Sequence, residues 1–332
     1  MSKPVSDQLH RLIVSLTKAE KRHFKIFASR HTIGESNNYV VLFDAVAAQD
    51  TYNEDAILKR FRKEAFIKQF SITKARLYEI ILRSLDVFHH NSSVDAQLWK
   101  ELHYSEILYK KTLYDQCARR LRSAKKLALR NEKYAVLVQI QALEKALAEK
   151  DNYSGMSDED IQQLLDDDRN VAEEIRAVND LWHVKSRLFM QLNRTGRARE
   201  TTQLENFRRL LDEAMPAGEA EKHSVNARYL YHHTSSAYYF AANDYENCYV
   251  HLAANATLIE NNTAIFSDEP NAYFSVLTNF IYVASRLRRY DAVHTYLEKL
   301  RRLPEQLDTG GNEDLEIKLF SSAFSIELAL YN

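Results

Sequence analysis

Three places along the chain carry one short pattern: an aromatic-rich helical stretch, a tight break ending in Tyr plus an acid, and a second helical stretch that opens with a small residue. The breaks are Tyr114-Asp115, Tyr245-Glu246 and Tyr290-Asp291. Two helices joined by so short a turn run antiparallel and bury their facing stripes, so the pattern predicts stacked helical hairpins. Glycine usage points the same way. Only 6 Gly and 4 Pro stand in 332 residues, too few sharp-turn residues for a many-stranded sheet and too few for a phosphate-cradling glycine loop. The fold class expected is all-α.

Apolar spacing divides the chain into an N-terminal block, residues 1–93, and a hairpin array, residues 94–332. In the block, Leu9, Leu12, Ile13 and Leu16 form one stripe on a short opening helix, and Thr17 and Glu20 have the spacing of a capping box that starts a second helix, running to about His31. Gly34 to Asn38 reads as a turn. Tyr39 to Gln49, Glu54 to Lys63 and Ile72 to His90 read as three more helices, and Asn91-Ser92-Ser93 closes the block. Beyond it the spacing predicts helices over about 96–112, 115–130, 132–150, 157–192, 200–215, 224–242, 246–261, 270–288 and 291–302. Ser157 and Asp160 form a second capping arrangement, and Thr195-Gly196 breaks the longest helix. Asp314 to Asn332 reads as the first helix of a further hairpin whose apolar stripe, Phe320, Phe324 and Leu328, needs a cover, so the array is expected to be truncated at its C-terminus.

The formal net charge of -1 hides a division. Residues 1–150 hold 27 Lys and Arg against 17 Asp and Glu, and residues 151–332 hold 18 against 29. A basic N-terminal half followed by an acidic C-terminal half fits either a nucleic-acid-binding region or two complementary faces of one curled array. The strongest basic cluster is Arg119, Arg120, Arg122, Lys125 and Lys126, with Arg130 beyond, on the outer half of a helix whose Leu121 and Ala124 pack inward. Its functional reading is phosphate contact, and its plain reading is a solvated face. Lys59, Arg60, Arg62 and Lys63, with Lys74 and Arg76, extend the basic character.

The residue types of a reaction centre do not assemble. His89-His90 and His232-His233 are adjacent pairs that diverge by about 100° on a helix, unlike the i, i+4 pair of a zinc-binding helix. Cys117 and Cys248 form neither a metal spacing nor a disulfide framework, and they sit where hairpins need small apolar groups. The Asp166-Asp167-Asp168 run lies inside a predicted helix, so its carboxylates point apart rather than around a calcium loop. It reads as a solvated acidic face or as a docking face for a basic partner, including the chain's own basic half. No Gly-X-Ser-X-Gly elbow occurs. No catalysis, metal or cofactor is expected. Neither a signal-peptide core nor a membrane-length apolar run is present, and cysteine usage suits reducing cytosol, so a cytoplasmic chain with no membrane association is the expectation.

The hairpins resemble tetratricopeptide repeats, in which Tyr is followed by Ala at three residues, an aromatic or Leu at seven and Ala at ten. Here Tyr114 is followed by Cys117, Leu121 and Ala124; Tyr245 by Cys248, Leu252 and Asn255; and Tyr290 by Val293, Leu297 and Leu300. Nine residues before each Tyr, where the family has a small residue, stand Ser105, Ser236 and Ile281. The first unit matches best and the third departs most. Tyr245 and Tyr290 are 45 residues apart, longer than the family period of about 34 and nearer that of HEAT and armadillo repeats. The opening Leu16-Thr17-Lys18-Ala19-Glu20-Lys21-Arg22 resembles that of bacterial solenoid proteins to which no activity attaches.

The resemblance implies a degenerate α-solenoid, a right-handed superhelix whose first helices line a concave groove for a protein or peptide partner. Carried over by position, groove residues would be His103, Glu106, Tyr109 and Lys110 before Tyr114; His233 and Phe240 before Tyr245; and Thr278, Asn279, Tyr282 and Arg286 before Tyr290. The function expected is a non-catalytic interaction scaffold; the alternative is a nucleic-acid-associated regulator that uses the basic half.

Overall fold

The computed structural model of the chain describes residues 7–29, 38–90, 93–195, 201–267 and 269–306. These residues hold fourteen α-helices, two short 3-10 turns and no strand. The chain divides into two compact units, Met1–Lys100 and Glu101–Asn332, and the division falls inside the helix Val94–Lys110. The expected turn at Gly34, the break at Gly196 and the helix at Asp314 to Asn332 lie outside the described residues.

The first unit holds α1 (Gln8–Ser15), α2 (Lys18–Ser29), α3 (Asn38–Ala47), α4 (Glu54–Arg60) and α5 (Phe70–His89). The capping box forms as its spacing requires: the Glu20 carboxylate accepts from the Thr17 amide at 2.7 Å, and the Thr17 hydroxyl accepts from the Glu20 amide at 3.2 Å. The other Glu20 oxygen meets His89 Nε2 at 2.6 Å, which ties the start of α2 to the end of α5. Between them runs a core of Ile13, Leu42, Ile57, Leu77 and Ile81, with the Phe24 and Phe43 rings stacked at 4.4 Å. A 3-10 turn, Ala65–Gln69, leads into α5.

The second unit is built on a repeated turn. From α6 (Val94–Lys110) the chain enters α7 (Tyr114–Arg130) and α8 (Tyr134–Lys150). Further on, α11 (Val225–Ala241) is joined to α12 (Tyr245–Asn261), and α13 (Pro270–Arg286) to α14 (Tyr290–Gln306). Four connections, α6 to α7, α7 to α8, α11 to α12 and α13 to α14, are three residues long, and each following helix begins at Tyr. In each, the middle residue takes a left-handed backbone: Thr112 at φ 61°, Glu132 at 52°, Asn243 at 60° and Arg288 at 56°. The next residue donates its amide to the carbonyl five positions back: Leu113 to Leu108, Lys133 to Ala128, Asp244 to Tyr239 and Arg289 to Ala284, at 2.9–3.0 Å. This is the Schellman closure, made without a single glycine. The Tyr134 connection has Ala where the other three have an acid, and so escapes the Tyr-acid rule.

The small-residue positions are close-approach points. Ser105, Ser236 and Ile281 are buried, as are Cys117, Cys248 and Val293 three residues after the tyrosines, and the Cys117 thiol donates to the Ser105 carbonyl at 3.2 Å. Between the hairpins lie α9 (Asp158–Thr195), 38 residues long, and α10 (Thr201–Ala214). The Ser157 hydroxyl accepts from the Asp160 amide, and the Asp160 carboxylate from the Ser157 amide. Helix α9 packs on α8, α10 and α11, and α11 to α14 pack in sequence.

Candidate functional site

Helices α9, α11, α12 and α13 enclose a cavity of about 450 Å³ in the second unit. Its wall takes Phe189, Leu192 and Asn193 from α9; His233, Ser236, Ala237 and Phe240 from α11; Cys248 and Leu252 from α12; and Thr278, Asn279, Tyr282 and Val283 from α13. Spacing explains the convergence. His233, Ser236, Ala237 and Phe240 follow at i, i+3, i+4 and i+7, one face of a helix, and on α13 Asn279, Tyr282 and Val283 follow at i, i+3 and i+4, with Thr278 one turn before Tyr282.

The His233 ring is stacked with two others, Phe189 at 5.5 Å and Tyr229 at 5.6 Å, with interplanar angles of 8° and 16°. Burial, helped by the nearby Lys185 charge, pushes its pKa down to about 4, so the ring is neutral at pH 7. Phe240 meets Tyr282 edge-on at 5.8 Å. Arg286 donates twice to the Tyr282 hydroxyl, at 3.1 and 3.0 Å, and covers its ring at 5.3 Å, which fixes the ring at the pocket rim. The Cys248 thiol is driven up to about 12 by burial and by Asp244, so it serves as an apolar wall atom and not as a nucleophile.

Of the ten groove residues named from sequence, the cavity brings together His233, Phe240, Thr278, Asn279 and Tyr282, with Arg286 bonded to the last. The four on α6 stand apart from it. Glu106 lies 3.9 Å from His103 Nδ1 and 4.0 Å from Lys110 Nζ, and Tyr109 packs on Tyr114 at 5.5 Å. Sequence reasoning missed Phe189, Leu192 and Asn193, because α9 carries no Tyr junction from which an offset could be counted. The signal available was the apolar period of Leu181, Val184 and Leu188, all buried, which sets the helical phase of Phe189 beside them.

The basic cluster on α7 is partly consumed by its neighbours. Arg120 donates to both Glu101 oxygens, at 2.9 and 2.7 Å, and lies over the Tyr104 ring; Arg119 pairs with Asp115. Lys125 sits between Glu144 at 2.8 Å and Asp167 at 3.0 Å, and Lys145 meets Asp168 at 2.5 Å. Burial pulls the Lys125 pKa down, but the two carboxylates outweigh it and hold the pKa above the ordinary lysine value. The acidic run therefore meets the chain's own basic residues across α7, α8 and α9. Arg122 and Lys126 have no ion-pair partner among the described residues.

A second, larger cleft of about 970 Å³ opens in the first unit, lined by residues that include Leu9, Tyr39, Ile72, Arg76, Glu79 and Arg83. It mixes both charge signs, and its Lys74 is already paired with Glu54. Among the described residues no His, Cys, Asp and Glu cluster could hold a metal ion, and no helix is long and apolar enough to cross a membrane. No protein-family model, curated protein or solved structure matches the chain.

Proposed function

We propose that this chain is a non-catalytic, cytoplasmic interaction scaffold: an α-solenoid of degenerate hairpins, similar to tetratricopeptide repeats, that holds a segment of a protein partner. The observation that carries the reading is the cavity among α9, α11, α12 and α13. Three aromatic side chains, Phe189, Phe240 and Tyr282, stand there beside hydrogen-bonding groups from Asn193, His233 and Asn279. Amphipathic aromatics next to amides bind peptides, because rings supply buried area at low entropic cost and amides fix orientation. Both cysteine thiols are buried with raised pKa values, which suits packing rather than nucleophilic chemistry at those two positions.

The test is direct binding. The full chain is panned against a displayed library of random 12-residue peptides, and selected peptides are titrated by fluorescence anisotropy. Tyr282→Ala and Phe240→Ala are expected to weaken a selected peptide at least tenfold with the far-ultraviolet circular dichroism unchanged. Failure to select any saturable peptide would end the reading. Nucleic acid is the weaker alternative, since internal carboxylates occupy Arg119, Arg120 and Lys125 and leave Arg122 and Lys126. Duplex binding that falls steeply with salt and vanishes in the Arg122→Glu, Lys126→Glu double variant would favour it.

A further inference from the structure

The chemistry of the same cavity names what enters it; this step rests on the peptide-binding reading above. None of the wall residues is Asp, Glu, Lys or Arg. A charged side chain entering it would give up water for a wall that carries no charge itself, and a cationic one would also stand near Lys185 and Arg286, so an uncharged one is selected. The walls then specify more than polarity. The His233 ring is stacked near-parallel with Phe189 and with Tyr229, and its ring nitrogens have no hydrogen-bond partner among the described residues. The Ser236 hydroxyl donates to the His233 carbonyl at 2.8 Å, and the Thr278 hydroxyl donates to Phe274 at 3.0 Å or to Ser275 at 3.1 Å. Both hydroxyl protons are spent inside their own helices. What these two groups offer is lone pairs, and neutral His233 adds an acceptor at one ring nitrogen beside the N–H donor at the other.

A ring-lined pocket with acceptors at Ser236, Thr278 and His233 suits an aromatic group that carries one donor. We propose that the cavity is an anchor site for a Tyr or Trp side chain of a partner segment, with its ring among Phe189, Phe240 and Tyr282 and its O–H or N–H directed to His233, Ser236 and Thr278. Phe would fill the space and leave the acceptors unanswered. Buried acceptors left unanswered are costly, which is how a site built to bond a donor rejects the analogue that lacks one.

Peptides from the selection described above supply the test. Each is resynthesised with Ala, Phe, Glu or Lys at every aromatic position and titrated against the full chain and against His233→Phe, which keeps the ring stack and removes the acceptor. One Tyr or Trp is expected to dominate: Ala costs at least thirtyfold, Glu or Lys more, and Phe about tenfold. In His233→Phe the Phe penalty should shrink to threefold or less. N-acetyl-L-tryptophanamide should displace the bound peptide, and N-acetyl-L-lysinamide should not. A selected peptide that binds through a charged residue, or whose affinity ignores both His233→Phe and Tyr282→Ala, overturns the anchor assignment and leaves the scaffold reading standing. If no peptide is selected, both fall together.

Discussion

The carboxylate of Glu132 accepts from the backbone amides of Val225, at 2.6 Å, and Asn226, at 2.9 Å, and so joins the α7 to α8 turn to the start of α11 across 93 residues of sequence. Beside it Glu174 accepts from the Ser224 amide at 3.0 Å and lies 3.1 Å from His223 Nδ1. Two carboxylates thus satisfy amides at the first turn of one helix, where the dipole favours negative charge.

Replacement of Glu132 by Ala should cost about 1–3 kcal/mol, because two partly buried amides lose their acceptor. The pH dependence has a definite sign. Burial, together with the Glu174 charge, raises the Glu132 pKa above 4.5, against the pull of the two amides and of Arg228. A carboxylate with a raised folded pKa gives its largest contribution below the unfolded value and loses it as pH rises through the folded one. Urea melts of wild type and Glu132→Gln, compared at pH 4 and pH 7, should show a wild-type advantage that is larger at pH 4. An advantage that grows with pH would refute this account.

The α7 basic cluster separates into residues that hold the fold and residues that do not. Arg120→Glu sets a carboxylate against Glu101 and removes the cover of Tyr104, so it should lower stability by about 1 kcal/mol, a modest figure because the pair is well exposed to solvent. Arg122→Glu, with no partner among the described residues, should fall within about 0.5 kcal/mol of wild type. Thermal melts of the two variants decide the matter. Equal melting temperatures would show that the Arg120 contacts contribute nothing.

Helix positions were legible because their signals are local: apolar period, a Thr17 to Glu20 box, a Tyr after a short break. The all-α class followed from the same signals. What could not be read were relationships set by tertiary packing. Glu132 looks like any turn acid, and nothing near it in sequence says that its partners are Val225 and Asn226. Lys125 reads as a member of a solvated basic face until Glu144 and Asp167 arrive from two other helices. The pocket was half legible. Offsets from a Tyr junction reached α11 and α13, and the wall from α9 had no such marker. The fourth hairpin turn, at Tyr134, was hidden because the feature that defines it is backbone closure rather than the acid that accompanies the other three.

That closure gives a test in the backbone. Thr112 adopts φ 61° although its β-branched side chain disfavours the left-handed region, whereas Asn243 at 60° tolerates it. The strain at a non-glycine residue is about 1–2 kcal/mol, partly offset by the greater freedom that glycine gives the unfolded chain and by loss of the Thr112 hydroxyl bond to Lys111. Thr112→Gly should therefore stabilise by about 0.5–1 kcal/mol, and Asn243→Gly should change little. Denaturant midpoints measure both. Destabilisation by Thr112→Gly would mean that the side-chain contact outweighs the strain.

The last prediction concerns acid. His232 and His251 meet at 2.9 Å through their Nδ1 atoms, so one ring must donate and the other accept. His251 is stacked on Tyr239 at 5.5 Å. Burial, reinforced by the His232 and Arg208 charges, pushes the His251 pKa down to about 4, and burial also lowers His232 despite the opposing pull of Glu221. A base with a depressed folded pKa contributes stability that is complete above its unfolded value of 6.5 and is lost as pH falls through the folded value. In the interval between 6.5 and about 4 the unfolded chain binds one proton more at this site, a slope of about 1.4 kcal/mol per pH unit. His251→Gln keeps a hydrogen-bonding side chain next to His232 and removes that titration. Its stability should fall less steeply from pH 6.5 to pH 4.5 than that of wild type, with His233→Phe as the control for the third depressed histidine. If the wild-type and His251→Gln slopes coincide, the imidazole pair is not a source of acid sensitivity.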